Sequence, residues 1–224
     1  MKYKLTDAKA QTRGGIQWGE GVTHSGTGDE GLCSEGVIHC YTSPLVAVFM
    51  DPIYSEYLPS GRLWEAEGET AFNDGTKIGC RSLTTLREIA VPTVNLTQRA
   101  AFAILGALLF PYPEAWGRWA NAWLSGADRS EDAAWAAGSA VSPQRAPAAA
   151  AWVVDDWAAA RAAAWAAEAT AKVTAVDTGF VRWSAARAAA STGAMMAGME
   201  TMGILAAMGE RIDFAALAEQ AMKY

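Results

Sequence analysis

The densest chemistry in this chain runs from Cys33 to Tyr41, Cys-Ser-Glu-Gly-Val-Ile-His-Cys-Tyr. With His24 and Cys80 it brings in every histidine and cysteine of the sequence, two imidazoles and three thiols. Such a set can ligate zinc, but zinc knuckles and fingers pair their cysteines as Cys-x-x-Cys, a spacing absent here. No metal site is expected, and free cysteines of this kind pack as small buried hydrophobes. A thiolate activated by an imidazole is the other chemistry available. His39 and Cys40 are adjacent, so a strand turns them to opposite faces, which argues against a Cys40–His39 dyad. Cys33 has no supporting partner. His39 shares a face with Val37 and Tyr41 and is expected as a structural or pocket hydrogen-bonding residue. No catalytic residue is assigned.

A second constellation lies in Arg62-Leu63-Trp64-Glu65-Ala66-Glu67. Glu65 and Glu67 share one face of a strand, and paired carboxylates do acid–base work only where a pocket raises one pKa. On a solvated face they are ordinary surface glutamates; turned inward, they can bond ribose hydroxyls. Arg13 stands beside Gly14-Gly15, where bare backbone lets an anion approach. A guanidinium for phosphate next to an aromatic face for a base makes a nucleotide site. The expected set is Arg13 and Arg62 for phosphates, Trp18, Tyr41 or Trp64 for the base, and His39 and Glu65 for sugar hydroxyls. No Walker or dinucleotide glycine fingerprint accompanies them, and surface arginines are the competing explanation. Asp155-Asp156 reads as a salt-bridging pair for Arg161 or Arg187, and Met195, Met196, Met199 and Met202 as core or oligomer interface.

The elements that must position these residues divide the chain near Val91-Pro92. Ahead of that point lie all Cys and His, 12 of the 21 Gly and two of the ten Trp; behind it lie 42 of the 48 Ala. Glycine and turn residues cut the first part into short segments, while alanine favours helix in the second. The fold class is α+β: a small mixed or antiparallel sheet module with one short helix over 1–92, followed by an Ala/Trp-rich helical region over 93–224. Strands are expected at Lys2–Thr6, Ile16–Trp18, Val22–His24, Gly36–Tyr41 and Arg62–Glu67. Asn73-Asp74-Gly75 is a turn signal, with one or two further strands over Thr76–Ile89. Thr42 or Ser43 caps a helix with Pro44 at its first position. Asn95 or Thr97 opens a helix over Gln98–Phe110, closed by Pro111 and Pro113. Trp116, Trp119 and Trp123 fall on one face of the next, which ends at Ser125-Gly126. Asp128 or Ser130 opens another. Long helices are expected at 148–173 and 177–205, and Asp213 caps a last one over Phe214–Met222.

The chain is 224 residues long with a formal net charge of −6, which argues against a general nucleic-acid binder. The longest apolar run, Ala100–Phe110, is too short for the roughly 20 residues of a membrane span, and no secretory signal follows the N-terminal lysines. Three sparse cysteines fit reduced thiols. The expected compartment is a cytosol, and no cofactor is implied.

From Arg13 to about Pro92 the sequence resembles a family of short phage and prophage proteins of unassigned function. The resemblance rests on Arg13-Gly14-Gly15-Ile16-Gln17-Trp18-Gly19-Glu20-Gly21, on Leu32–Tyr41 with Ser43-Pro44-Leu45, on Arg62–Gly68 and on Lys77-Ile78-Gly79-Cys80. An Ala/Trp/Arg-rich helical tail is usual in its longer members. The resemblance implies a phage-encoded protein acting in a bacterial cytosol and supplies no site residues. The functional expectation is an inhibitor of antiviral defence that binds and sequesters a nucleotide-derived immune signal, a cyclic nucleotide or ADP-ribose derivative, as a homo-oligomer. The alternatives are a nucleotide-degrading or -modifying enzyme using His24 or His39 with Glu65 or Glu67, and a protein–protein inhibitor acting through the helices.

Overall fold

The computed structural model describes residues 1–29, 31–32, 34–51, 55, 57–109, 112–140 and 212–224. The chain separates into two units, Met1–Thr93 with Ile212–Ala215 and Val94–Arg211 with Ala216–Tyr224. The expected helices over 148–173 and 177–205, Asp155-Asp156, the Met195–Met202 cluster and Cys33 lie outside the described residues. The described residues form an antiparallel sheet and five α-helices, a mixed α+β fold.

The first unit is organised by a hairpin of two 12-residue strands, β6 (Arg62–Asn73) and β7 (Ile78–Ile89). Side chains build its turn. Asn73 Oδ1 accepts from the Gly75 N–H, and Asp74 Oδ1 accepts from the Thr76 and Lys77 N–H groups and the Thr76 hydroxyl at 2.7–2.9 Å. Gly75 holds φ at +87°, a left-handed conformation open to glycine. Thr76–Ile89 thus supplies one long strand rather than two, because nothing interrupts its pairing beyond three local register shifts. At one of them Glu65 faces Arg87 and Ala66 faces Thr85, leaving Leu86 as an extra residue on β7.

The remaining strands attach to this pair. β1 (Lys2–Thr6) pairs with β6, whereas β4 (Thr23–Ser25) and β5 (Ile38–Cys40) lie along the other edge of β7. Tyr3 and Tyr41 exchange both backbone hydrogen bonds, at 3.0 and 2.9 Å, so β5 also meets β1 and the sheet closes on itself there. Trp18, Cys40, Ala66, Ile78, Cys80 and Leu83 form a core cluster. Leu63 and Trp64 are both buried, so this end of β6 is covered on both faces and the simple alternation expected of a half-buried strand breaks down. The short β2 (Gln11–Thr12) and β3 (Ile16–Gln17) form a separate two-stranded ribbon. Ser43 caps α1 (Pro44–Met50), its Oγ accepting from the Val46 N–H at 3.1 Å.

In the second unit, α2 spans Leu96–Ala107 and begins two residues earlier than expected, because Asn95 and not Thr97 is the cap. Asn95 and Gln98 satisfy each other's backbone N–H groups in a capping box. α3 (Glu114–Ser125) buries Trp116, Trp119 and Trp123 on one face and stops at Gly126, whose φ is +80°. Ser130 opens α4 (Glu131–Ala140). Asp213 Oδ1 accepts from the Ala215 N–H at the start of α5 (Phe214–Ala221). No helix among the described residues is long and apolar enough to cross a membrane.

Gly68 faces Leu83 across the hairpin, and a Cβ there would lie 2.1 Å from the Ser82 carbonyl oxygen. Gly68→Ala is expected to destabilise the protein by about 3 kcal/mol, the upper range for forced overpacking. Exposed Glu67→Ala should stay within about 0.5 kcal/mol. Urea denaturation of the two variants checks both.

Candidate functional site

A cleft of about 740 Å³ opens in the first unit. Its lining comes from β1 (Lys4), the β2–β3 ribbon and its tip (Thr12, Arg13, Gly14, Ile16, Trp18), β5 and its flanks (Val37, His39, Tyr41), Tyr57, and Lys77 at the end of the hairpin turn. The alternation of β5 decides which side chains reach it. His39 lies on the cleft with Val37 and Tyr41, while Cys40 is fully buried with its Sγ 3.5 Å from that of Cys80. The hydrogen bond to Cys80, then burial, push the Cys40 thiol above its ordinary range. It is a core thiol, and the opposite facing of His39 and Cys40 leaves no dyad between them.

Lys4 forms part of the cleft's inner wall. It is 7% exposed, its Nζ donates to the His39 carbonyl at 2.7 Å, and it lies 4.9 Å from the centroid of the Trp18 ring. Burial pulls its pKa down to about 8. Trp18 is 3% exposed. Its Nε1 donates to Thr12 Oγ1 at 3.0 Å, and the His24 ring meets it edge-on with centroids 4.6 Å apart. With Lys4 and His24 both against it, Trp18 supports the wall and does not offer an open stacking face.

His39 Nε2 donates to the Leu32 carbonyl at 2.5 Å. That bond fixes the neutral tautomer and leaves Nδ1 as an acceptor. Burial lowers its pKa, and the charges of Lys77 and Lys4 act in the same direction against the Leu32 hydrogen bond. Arg13 sits exposed at the ribbon tip. Its backbone N–H donates to the Tyr57 hydroxyl at 3.1 Å, and among the described residues its guanidinium has no ion-pair partner. Gly14 and Gly15 follow with φ of +80° and +74°, and nothing stands within 4 Å of where a Cβ would be. Backbone conformation, and not crowding, therefore demands glycine at both positions. Among the described residues the cleft lining thus holds three cationic side chains, Lys4, Arg13 and Lys77, and one carboxylate, Glu35.

Of the expected site residues, Arg13, Trp18, His39 and Tyr41 come together here. Arg62, Trp64 and Glu65 do not, because β6 contributes no residue to the cleft. Arg62 pairs with Glu88 and lies over the Trp64 ring at 4.8 Å. Trp64 is buried with its Nε1 donating to Thr6 Oγ1 at 3.2 Å. Glu65 accepts two hydrogen bonds from Arg87, at 2.6 and 2.7 Å. Each has a cross-strand partner that consumes the group expected to meet a ligand. Sequence reasoning missed Lys4, Lys77 and Tyr57. A lysine alternating with Tyr3 and Leu5 reads as solvent-facing, and Tyr57 lies in an irregular stretch with no periodic signal. No group of three or more His, Cys, Asp or Glu among the described residues is arranged to hold a metal ion.

Because the folded state favours neutral His39, its contribution to stability is complete above about pH 6.5, the unfolded value. It is lost as pH falls through the lowered folded value. NMR of the imidazole protons is expected to show His39 titrating below 6.5. His39→Gln should flatten the loss of stability on acidification in that window, and an unshifted titration would contradict the burial argument.

No protein-family model, curated protein or solved structure matches the chain.

Proposed function

We propose that the first unit binds a nucleotide-derived small molecule and holds it intact. The carrying observation is the charge of the cleft. In a chain of net charge −6, Lys4, Arg13 and Lys77 converge on one concavity that holds a single carboxylate among the described residues. A concave site with converging cations and aromatic walls favours a phosphorylated ligand bearing a flat ring. Arg13, free of ion pairs among the described residues and adjacent to two glycines of open backbone, receives phosphate. His39 Nδ1 accepts from a sugar hydroxyl. Tyr57, half-buried at the ribbon, is the ring available to a base, in place of the engaged Trp18 and the distant Trp64.

Combined with the resemblance to phage proteins, this reading makes the protein a phage-encoded inhibitor of bacterial antiviral defence. It would sequester a cyclic nucleotide or ADP-ribose derivative in the host cytosol, with the helical unit serving oligomerisation. The position of Glu65 favours binding over turnover. A degrading enzyme pairing His39 with Glu65 needs that carboxylate at the cleft, and Arg87 holds it elsewhere.

The test is to purify the protein from bacteria with an active nucleotide-signalling defence, denature it and identify the released small molecules by mass spectrometry. An intact nucleotide near one per chain is the expected result, and Arg13→Ala should weaken its binding about tenfold to a hundredfold, the usual cost of a lost charge-assisted hydrogen bond. Cleaved ligand, with substrate consumed in molar excess and activity lost in His39→Ala, would establish the enzyme instead. A protein that emerges empty and binds no nucleotide in calorimetry would end the reading.

A further inference from the structure

We propose that Lys4 joins Arg13 in anchoring the ligand's anion, and that filling the cleft draws in a proton at this amine. The proposal rests on reading the cleft as an anion site and names the group on which that site turns. A buried ammonium is normally paired with a carboxylate, because removing a charge from water is costly. Lys4 is buried and forms no ion pair among the described residues. Its compensation is one backbone carbonyl, that of His39, and the face of Trp18.

Among the described residues no carboxylate pairs with it, and the titratable groups around it are cations, an imidazole and two thiols. Lys2 lies on its own strand, His39 and Cys40 on β5, Cys80 on β7, and Lys77 beyond the hairpin turn. The first and last are cations, His39 is neutral, and Cys40 is held as a thiol by its hydrogen bond to Cys80, whose own pKa that bond lowers, so the cysteine pair favours the Lys4 ammonium against its burial. Among the described residues the amine therefore lacks a carboxylate partner, and Lys4 is part of the cleft lining. A phosphate reaching Nζ provides what the fold leaves out. The same deficit explains why burial brings the amine's pKa down to about 8. An anion in contact favours the ammonium, so R–NH2 takes one proton from solvent and becomes R–NH3⁺ as the anion binds.

The probe is sulfate, a divalent anion that does not titrate near neutrality, added at constant ionic strength to the full chain. The Lys4 Cε resonance is followed by NMR from pH 6 to 11. Without sulfate the Lys4 midpoint is expected at about 8, and saturating sulfate should raise it by about one unit, the shift that corresponds to tenfold preference for the charged form. Sulfate affinity should fall about fivefold between pH 7 and pH 9, as a midpoint raised by about one unit requires. Lys4→Arg should bind sulfate with no such fall, and Lys4→Met should lose binding. A Lys4 midpoint that sulfate does not move, or wild-type affinity flat from pH 7 to 9, would overturn the proposal even if Lys4→Met fails to fold. Sulfate acting at Lys4 while no nucleotide binds would sink the nucleotide reading alone. Nucleotide binding with an unmoved Lys4 midpoint would sink this one alone.

Discussion

The pairing of β6 with β7 carries the first unit, since every other strand of the main sheet is hydrogen-bonded to one of these two. A two-stranded hairpin alone is marginal in water and needs further strands and an apolar face to persist. Here β1 covers one edge, and β4 and β5 share the other. The reciprocal hydrogen bonds of Tyr3 and Tyr41 then remove the exposed edge between β1 and β5. Closing the sheet satisfies backbone groups that would otherwise form an open pairing edge. It also draws Leu63, Trp64, Cys40 and Cys80 into the interior.

That closure also creates the cleft's electrostatic character. Bringing β1 against β5 sets Lys4 beside the His39 carbonyl, and the ribbon places the Trp18 ring against the amine. The Trp18 backbone N–H is itself held by the Ala10 carbonyl at 2.8 Å, so the tryptophan is fixed from both main chain and side chain. Elsewhere on the sheet, positive and negative side chains face each other across β6 and β7 and neutralise one another. Arg62 with Glu88 and Glu65 with Arg87 are such pairs. Exposed pairs of this kind contribute little to stability. Their consequence is spatial: they withdraw charge from ligand binding on β6.

In the second unit the physics is that of small residues around a few large ones. Alanines of α2 are buried along most of its length, and Trp116 and Trp123 are among the largest fully buried side chains. Alanine faces permit close helix approach, and indole rings fill the remaining volume. Trp119 departs from this pattern, as its buried Nε1 has no hydrogen-bond partner among the described residues.

Most of the local architecture could be read directly from the residues. The turn at Asn73-Asp74-Gly75, the Ser43 cap before Pro44, the shared face of three tryptophans in α3, the stop at Gly126 and the Asp213 cap all depend on interactions within a few positions. Short-range chemistry of that kind is written in residue type and spacing. The opposite facing of His39 and Cys40 was legible for the same reason, because strand geometry alone decides it. The site was only half legible. Trp64 and Glu65 carried the right functional groups, but long-range register gave each a partner that no local pattern reveals. Lys4 looked like a solvent-facing lysine and became a buried cation through a hydrogen bond to a residue 35 positions away. Tertiary structure alone determined which charges were paired across the sheet and which came to line the cleft, because pairing depends on sheet register and closure rather than on neighbours in the chain.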